Sequence, residues 1–119
     1  MPHRIDIPTL RAALWAHRSL RRARRGLRRD GLAGVLLSAP PPLPASAGRG
    51  VLAVLRRRRS TCLERALVLQ RWHAAQGHPH EVVIGVSGTG ERFKAHAWLD
   101  GAPDSCDDSF GELLRLPAK

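Results

Sequence analysis

Cys62 stands in "RRRRSTCLERALVL", residues 56 to 69, at the seam between four arginines and an apolar run. A cysteine that only fills a core belongs inside such a run, where its thiol behaves as a small hydrophobe. This one is at the edge, which raises nucleophilic chemistry. The thiolate is the reactive form, and a free thiol, with a pKa of ~8.5, is mostly protonated at neutral pH. A helix N-terminus favours the anion, because its first amides lack partners and the helix dipole is positive there. Thr61 followed three residues later by Glu64 spells a capping box, which starts a helix with Cys62 in its first turn. The Cys62 amide is then also a donor for an oxyanion forming on an attacked carbonyl. The competing reading is a half-buried structural thiol beside a cap.

A cysteine nucleophile needs a base. His96 leads, because in "ERFKAHAWLD", read as a strand, Phe93, Ala95, Ala97 and Leu99 share one face and Lys94, His96 and Trp98 the other. The competing reading is a half-buried histidine with a structural hydrogen bond. His78 and His80 flank Pro79 beyond the helix, about fifteen residues and ~20 Å from Cys62 at ~1.5 Å per helical residue. His3 and His17 belong to a basic segment. Four aspartates come after His96: Asp100, Asp104, Asp107 and Asp108. Asp100 shares the histidine's face but lies ~13 Å along the strand, too far for a hydrogen bond. A turn centred on Ala102 pairs Trp98 with Cys106 and His96 with Asp108, which makes Asp108 the orienting carboxylate. A one-residue slip substitutes Asp107, and Pro103 fits such a loop poorly. Cys106, on a strand without a cap, is the weaker nucleophile. Zinc needs four ligands at organised spacing, and only His78 and His80 are close, so no metal is expected.

The elements that must position these residues carry their own signals. The capped helix closes at Gly77 and Pro79, and Leu63, Ala66, Leu67, Val68 and Leu69 make it apolar nearly all round, a buried spine. "HEVVIGV" and "ERFKAHAWLD" read as strands joined at "SGTG" into a hairpin. "DGAPD" is a turn and "SCDDSF", residues 105 to 110, a third strand. Upstream, Leu10, Ala13, Leu14, Leu20 and Leu27 recur at near-helical spacing among arginines, a basic amphipathic helix from Thr9 to about Arg29. "SAPPPLPASAGRG" is a stiff connector, succeeded by a short helix over roughly 49 to 58. The organisation expected is a basic helical segment over 1–37, a connector over 38–50 and a catalytic core over 51–119, together one compact α+β domain.

Composition bounds the partners. A chain of 119 residues suits one domain. A net charge of +10 invites an anionic partner, but the charge is uneven: residues 1–59 carry fourteen arginines against Asp6 and Asp30, a net +12, whereas residues 60–119 carry −2. The basic half and the chemical half are different segments. Nucleic acid is one partner class, although Trp15 is the sole aromatic of the basic half and base stacking is poorly provided for. Eighteen arginines against two lysines mark a G+C-rich genome, which weakens any reading of arginine over lysine. Two cysteines without a CxxC pair fit a reducing cytosol. No apolar run approaches the ~18 residues of a membrane span. "RRDGLAGVLLSAPPPLPASA" imitates a twin-arginine export signal, but its short apolar core runs into three prolines, and a proline-rich linker is the better reading.

Taken in order, "CLERALVLQRW", "GHPHEVVIGV" and "FKAHAWLDG" resemble the lasso peptide leader peptidases, the protease half of the split lasso B protein, within the transglutaminase-like, papain-related cysteine enzymes. The resemblance covers roughly residues 50 to 110. It implies a transglutaminase-like (papain-like) core with the cysteine helix packed on a small antiparallel sheet, and a catalytic triad of Cys62, His96 and Asp108 with no cofactor. The implied reaction is hydrolysis of one peptide bond in a ribosomally made precursor, freeing the core peptide from its leader. The implied partners are the precursor's leader region, a separate leader-recognition (RRE) protein for which 119 residues leave no room, and the ATP-dependent lasso cyclase, in a bacterial cytoplasm and away from membranes. Two departures stand out: Asp100 replaces the more usual Glu, and "SCDDSF" differs from the usual Asp-bearing strand. A transglutaminase-like acyltransferase would use the same triad, with an amine in place of water.

Overall fold

Asp6 starts the first helix, α1 (Ile7–Asp30): its carboxylate accepts the Thr9 amide at 2.9 Å, and Pro8 sits in the first turn, where a missing N–H costs nothing. The computed structural model describes residues 6–31, 35, 37–87, 94–100 and 111–116. The chain divides into two compact units, Met1–Ser60 and Thr61–Lys119. Among the described residues no helix is long and apolar enough to cross a membrane.

In the first unit, α1 buries Ala12, Trp15, Ala16, Ser19, Leu20 and Ala23. Leu10 and Leu14, expected on its apolar face, are 54% and 50% exposed. Leu20 is buried as expected, and the rest of the buried stripe is mostly small residues beside Trp15, where a second helix lies against it. That helix, α2 (Gly48–Arg57), buries Gly50, Val51 and Leu55. A Cβ added at Gly50 would collide with the Thr9 carbonyl and crowd the Ala13 amide, so the glycine is what lets the backbones approach. Arg49 bonds Thr9 Oγ1 and Asp6 near the start of α1, while Arg24, a little over four turns on, donates to the Arg58 carbonyl. The two helices therefore run in the same direction, and the proline-rich stretch between them returns the chain along α1. A 3-10 turn, Ala45–Ala47, and the start of α2 both fall within the stretch read as a connector. The prolines end at Pro44, and the close packing of Gly50 against α1 offsets the low helix propensity of the glycine. Hydrogen bonds from the Thr9 side chain and amide, and the Arg49 guanidinium, hold the Asp6 carboxyl below its usual value.

The second unit opens with α3 (Cys62–Ala75), which buries Glu64, Ala66, Leu67, Val68, Leu69 and Trp72, as its all-round apolar pattern predicts. It closes on Gly77 at φ 86°, with the His78 amide bonded to the His73 carbonyl and the Gly77 amide to the Ala74 carbonyl, a Schellman motif. Three antiparallel strands complete the unit, β1 (Val82–Ser87), β2 (Lys94–Leu99) and β3 (Gly111–Leu116), in the order β2-β1-β3. The hairpin pairs Val82 with Leu99, Val83 with Trp98, Ile84 with Ala97 and Gly85 with His96. β1 is central, and Val82 and Val83, on its opposite faces, are both buried. The strand expected over 105–110 lies outside the described residues. The described third strand, 111–116, pairs with β1 on the edge away from β2, with a register shift at Ile84/Gly85. Helix α3 packs on the sheet, chiefly against β2. The architecture is α+β, with the cysteine helix on an antiparallel sheet.

Candidate active site

Cys62 is the first residue of α3, half-buried, with a free thiol. The cap beneath it is complete: the Glu64 amide donates to Thr61 Oγ1 at 3.2 Å, and the Thr61 amide to Glu64 Oε1 at 2.9 Å. Of the amides that a helix start leaves open, these two are claimed by the cap, while those of Cys62 and Leu63 are not. An anion beside Cys62 therefore meets unclaimed N–H groups and the positive end of a helix almost four turns long.

His96 lies on β2, half-buried, with its ring stacked on Trp98 at a centroid distance of 6.0 Å and an interplanar angle of 22°. The two are separated by two positions on one strand and so share a face; Ala97 and Leu99, on the other, are buried. Face sharing is legible from the two-residue period, but the stacking that steadies the imidazole is not. The direct cross-strand neighbour of His96 is Gly85, which has no side chain to crowd the ring.

A shared landmark relates the cysteine and histidine elements. His80, just before β1, donates Nδ1–H to the Asp100 carbonyl at 2.9 Å and meets the ring of His73 edge-on at 5.6 Å. The Asp100 amide in turn bonds the Glu81 carbonyl at 2.9 Å, and Gln70 donates to the His80 carbonyl. His73, His80 and Asp100 thus mark the C-terminal end of α3. Measured back from there, Cys62 is eleven residues along α3, about 16 Å, and His96 is four residues along β2, about 13 Å. Cys62 thus lies at the end of α3 remote from this cluster, and His96 lies part-way along β2 from Asp100.

The other histidines stand elsewhere. His80 is engaged at the wrong end of α3, His78 is exposed beside it, and His17 is on α1 in the first unit. Asp100 is held through its main chain in the His80 cluster. Asp108, Asp107, Asp104 and Cys106 lie outside the described residues, as does His3. Among the described residues, no three His, Cys, Asp or Glu side chains gather into a metal-binding group.

A family model described as the transglutaminase-like superfamily matches residues 5–115, and so takes in the basic helices together with the cysteine helix and the sheet. No curated protein and no solved structure matches the chain.

Proposed function

The chain belongs to the transglutaminase-like superfamily, which includes cysteine peptidases and acyltransferases, and on that premise we propose that it is a cysteine peptidase removing the leader from a ribosomally made lasso peptide precursor. Cys62 Sγ attacks the scissile carbonyl carbon and passes its proton to His96. The oxyanion that forms is stabilised by the Cys62 amide. As the C–N bond breaks, His96 returns the proton to the amine of the departing core peptide, leaving the leader as a thioester on Cys62. Water, deprotonated by His96, then releases the leader carboxylate. Asp108 holds the imidazole in orientation throughout. A separate leader-recognition protein delivers the precursor, and an ATP-dependent cyclase receives the core peptide, in a bacterial cytoplasm.

The observation that carries this reading is the seat of Cys62: first residue of a helix whose cap takes up the Thr61 and Glu64 amides and leaves the Cys62 amide for a substrate. The test is mass spectrometry of a precursor peptide incubated with the full chain, with and without the recognition protein. A single cut is expected that survives Cys106→Ala and is lost in Cys62→Ala and His96→Ala. Cleavage that persists in Cys62→Ala rejects the mechanism, and transfer of the leader acyl group to an added amine in preference to water assigns an acyltransferase instead.

A further inference from the structure

A groove of about 530 Å³ runs along the outside of α1 in the first unit. Its floor is apolar, made by Trp15 and Leu14, and its far wall is the returning chain at Ser38, Ala39 and Pro41. That wall is pinned: Trp15 Nε1 donates to the Ser38 carbonyl at 3.0 Å, and Arg22 to Ser38 Oγ at 3.1 Å. Arg11, Arg18 and Arg22 line the groove, and among the described residues no carboxylate lines it. Asp6, the acid at the start of α1, is engaged by Thr9 and Arg49. Guanidinium groups over an apolar floor make a surface whose complement is a carboxylate-bearing chain with an apolar anchor.

We infer that this groove docks an acidic peptide segment of a partner protein through Arg11, Arg18 and Arg22. The spacing of the arginines defines the segment. Four and seven residues of helix separate them, about 6 and 10 Å along the axis, which an extended chain spans in about two and three residues. The segment therefore carries three carboxylates within about six residues, with an apolar side chain among them to rest on Leu14 and Trp15. The apolar floor is what selects a peptide: a phosphodiester backbone would use the arginines and leave Leu14, half exposed, uncovered. The inference is independent of the chemistry at Cys62.

The test is fluorescence anisotropy of labelled hexapeptides with the full chain. "EAELAE" is expected to bind saturably, "EAEAAE" more weakly, and "QAQLAQ" not at all. The double variant Arg11→Gln/Arg18→Gln should weaken "EAELAE" by about tenfold or more, the loss of two charge-assisted contacts. Arg56→Gln/Arg57→Gln, which removes the same charge from exposed positions on α2, should leave it unchanged, with circular dichroism confirming that both variants fold. No saturable binding of "EAELAE", or equal weakening by the two double variants, overturns the inference. So does a single-stranded hexanucleotide that binds more tightly than the peptide and is lost in the Arg11/Arg18 variant, which would make the groove a nucleic-acid site.

Discussion

At the scale of single residues, the imidazole of His96 has among its neighbours two of opposite kind, Trp98 stacked beside it and Gly85 leaving space across the strand. Trp98→Ala should therefore lower the rate of peptide cleavage by about tenfold or more, as expected for loss of a group that keeps a reacting side chain in line. Trp98→Phe should restore most of it, because a flat ring is what the contact requires; equal rates in the two variants would show that stacking is irrelevant. Asp6 gives a prediction about pH. Its carboxyl is held below the ordinary value of 3.8, so the stability it contributes is present above that value and is lost as pH falls through the lowered folded value. Thermal unfolding of wild type and Asp6→Ala should differ at neutral pH and converge in acid, below the ordinary carboxylate range. A difference that is constant with pH would contradict the role of the charge.

At the scale of elements, the α1–α2 contact sets a competition with a calculable winner. Gly50→Ala gains about 1 kcal/mol of helix propensity, but the added methyl meets the Thr9 carbonyl, and overpacking of this kind costs about 1–3 kcal/mol. The variant should unfold at a lower temperature than wild type; an unchanged or higher Tm would show that the helices can part without cost. Removing the cap of α3 has a different signature. Thr61→Ala loses the bond to the Glu64 amide and about 1 kcal/mol of stability. Because it loosens the turn that carries Cys62, its cleavage rate should fall while Thr61→Ser stays near wild type. Elements governed by local chemistry are legible in the sequence: the Thr61–Glu64 box, the Gly77 stop and the two-residue alternation of β2 each depend on residues a few positions apart. Elements governed by distant contacts are not. The apolar stripe of α1 misleads at Leu10 and Leu14, because hydrophobicity says nothing of the small residues that a close helix demands. β3 pairs with β1 rather than with its neighbour in sequence, so a hairpin drawn through the residues after Asp100 does not find it. Asp108, the proposed third member of the triad, lies outside the described residues.

At the scale of the whole molecule, the charge divides as the structure does. The unit Met1–Ser60 holds the net +12 and the unit Thr61–Lys119 the net −2. The family match runs through both, taking in the basic helices as well as the cysteine helix. Binding of an acidic peptide to the full chain should weaken steadily as ionic strength rises from about 0.1 M to about 1 M, over which the screening length shrinks from about 10 to about 3 Å. Salt-independent binding would assign the affinity to the apolar floor instead. The central claim, that folding of the second unit makes Cys62 and His96 one reactive pair, is tested most directly without any substrate, by timing iodoacetamide alkylation of the full chain and locating the label by peptide mass spectrometry. Cys62 should be alkylated faster than Cys106, and His96→Ala should slow Cys62 by about tenfold while leaving Cys106 unchanged, since the thiolate is the species that reacts. Equal labelling rates at Cys62 with and without the imidazole would contradict the account.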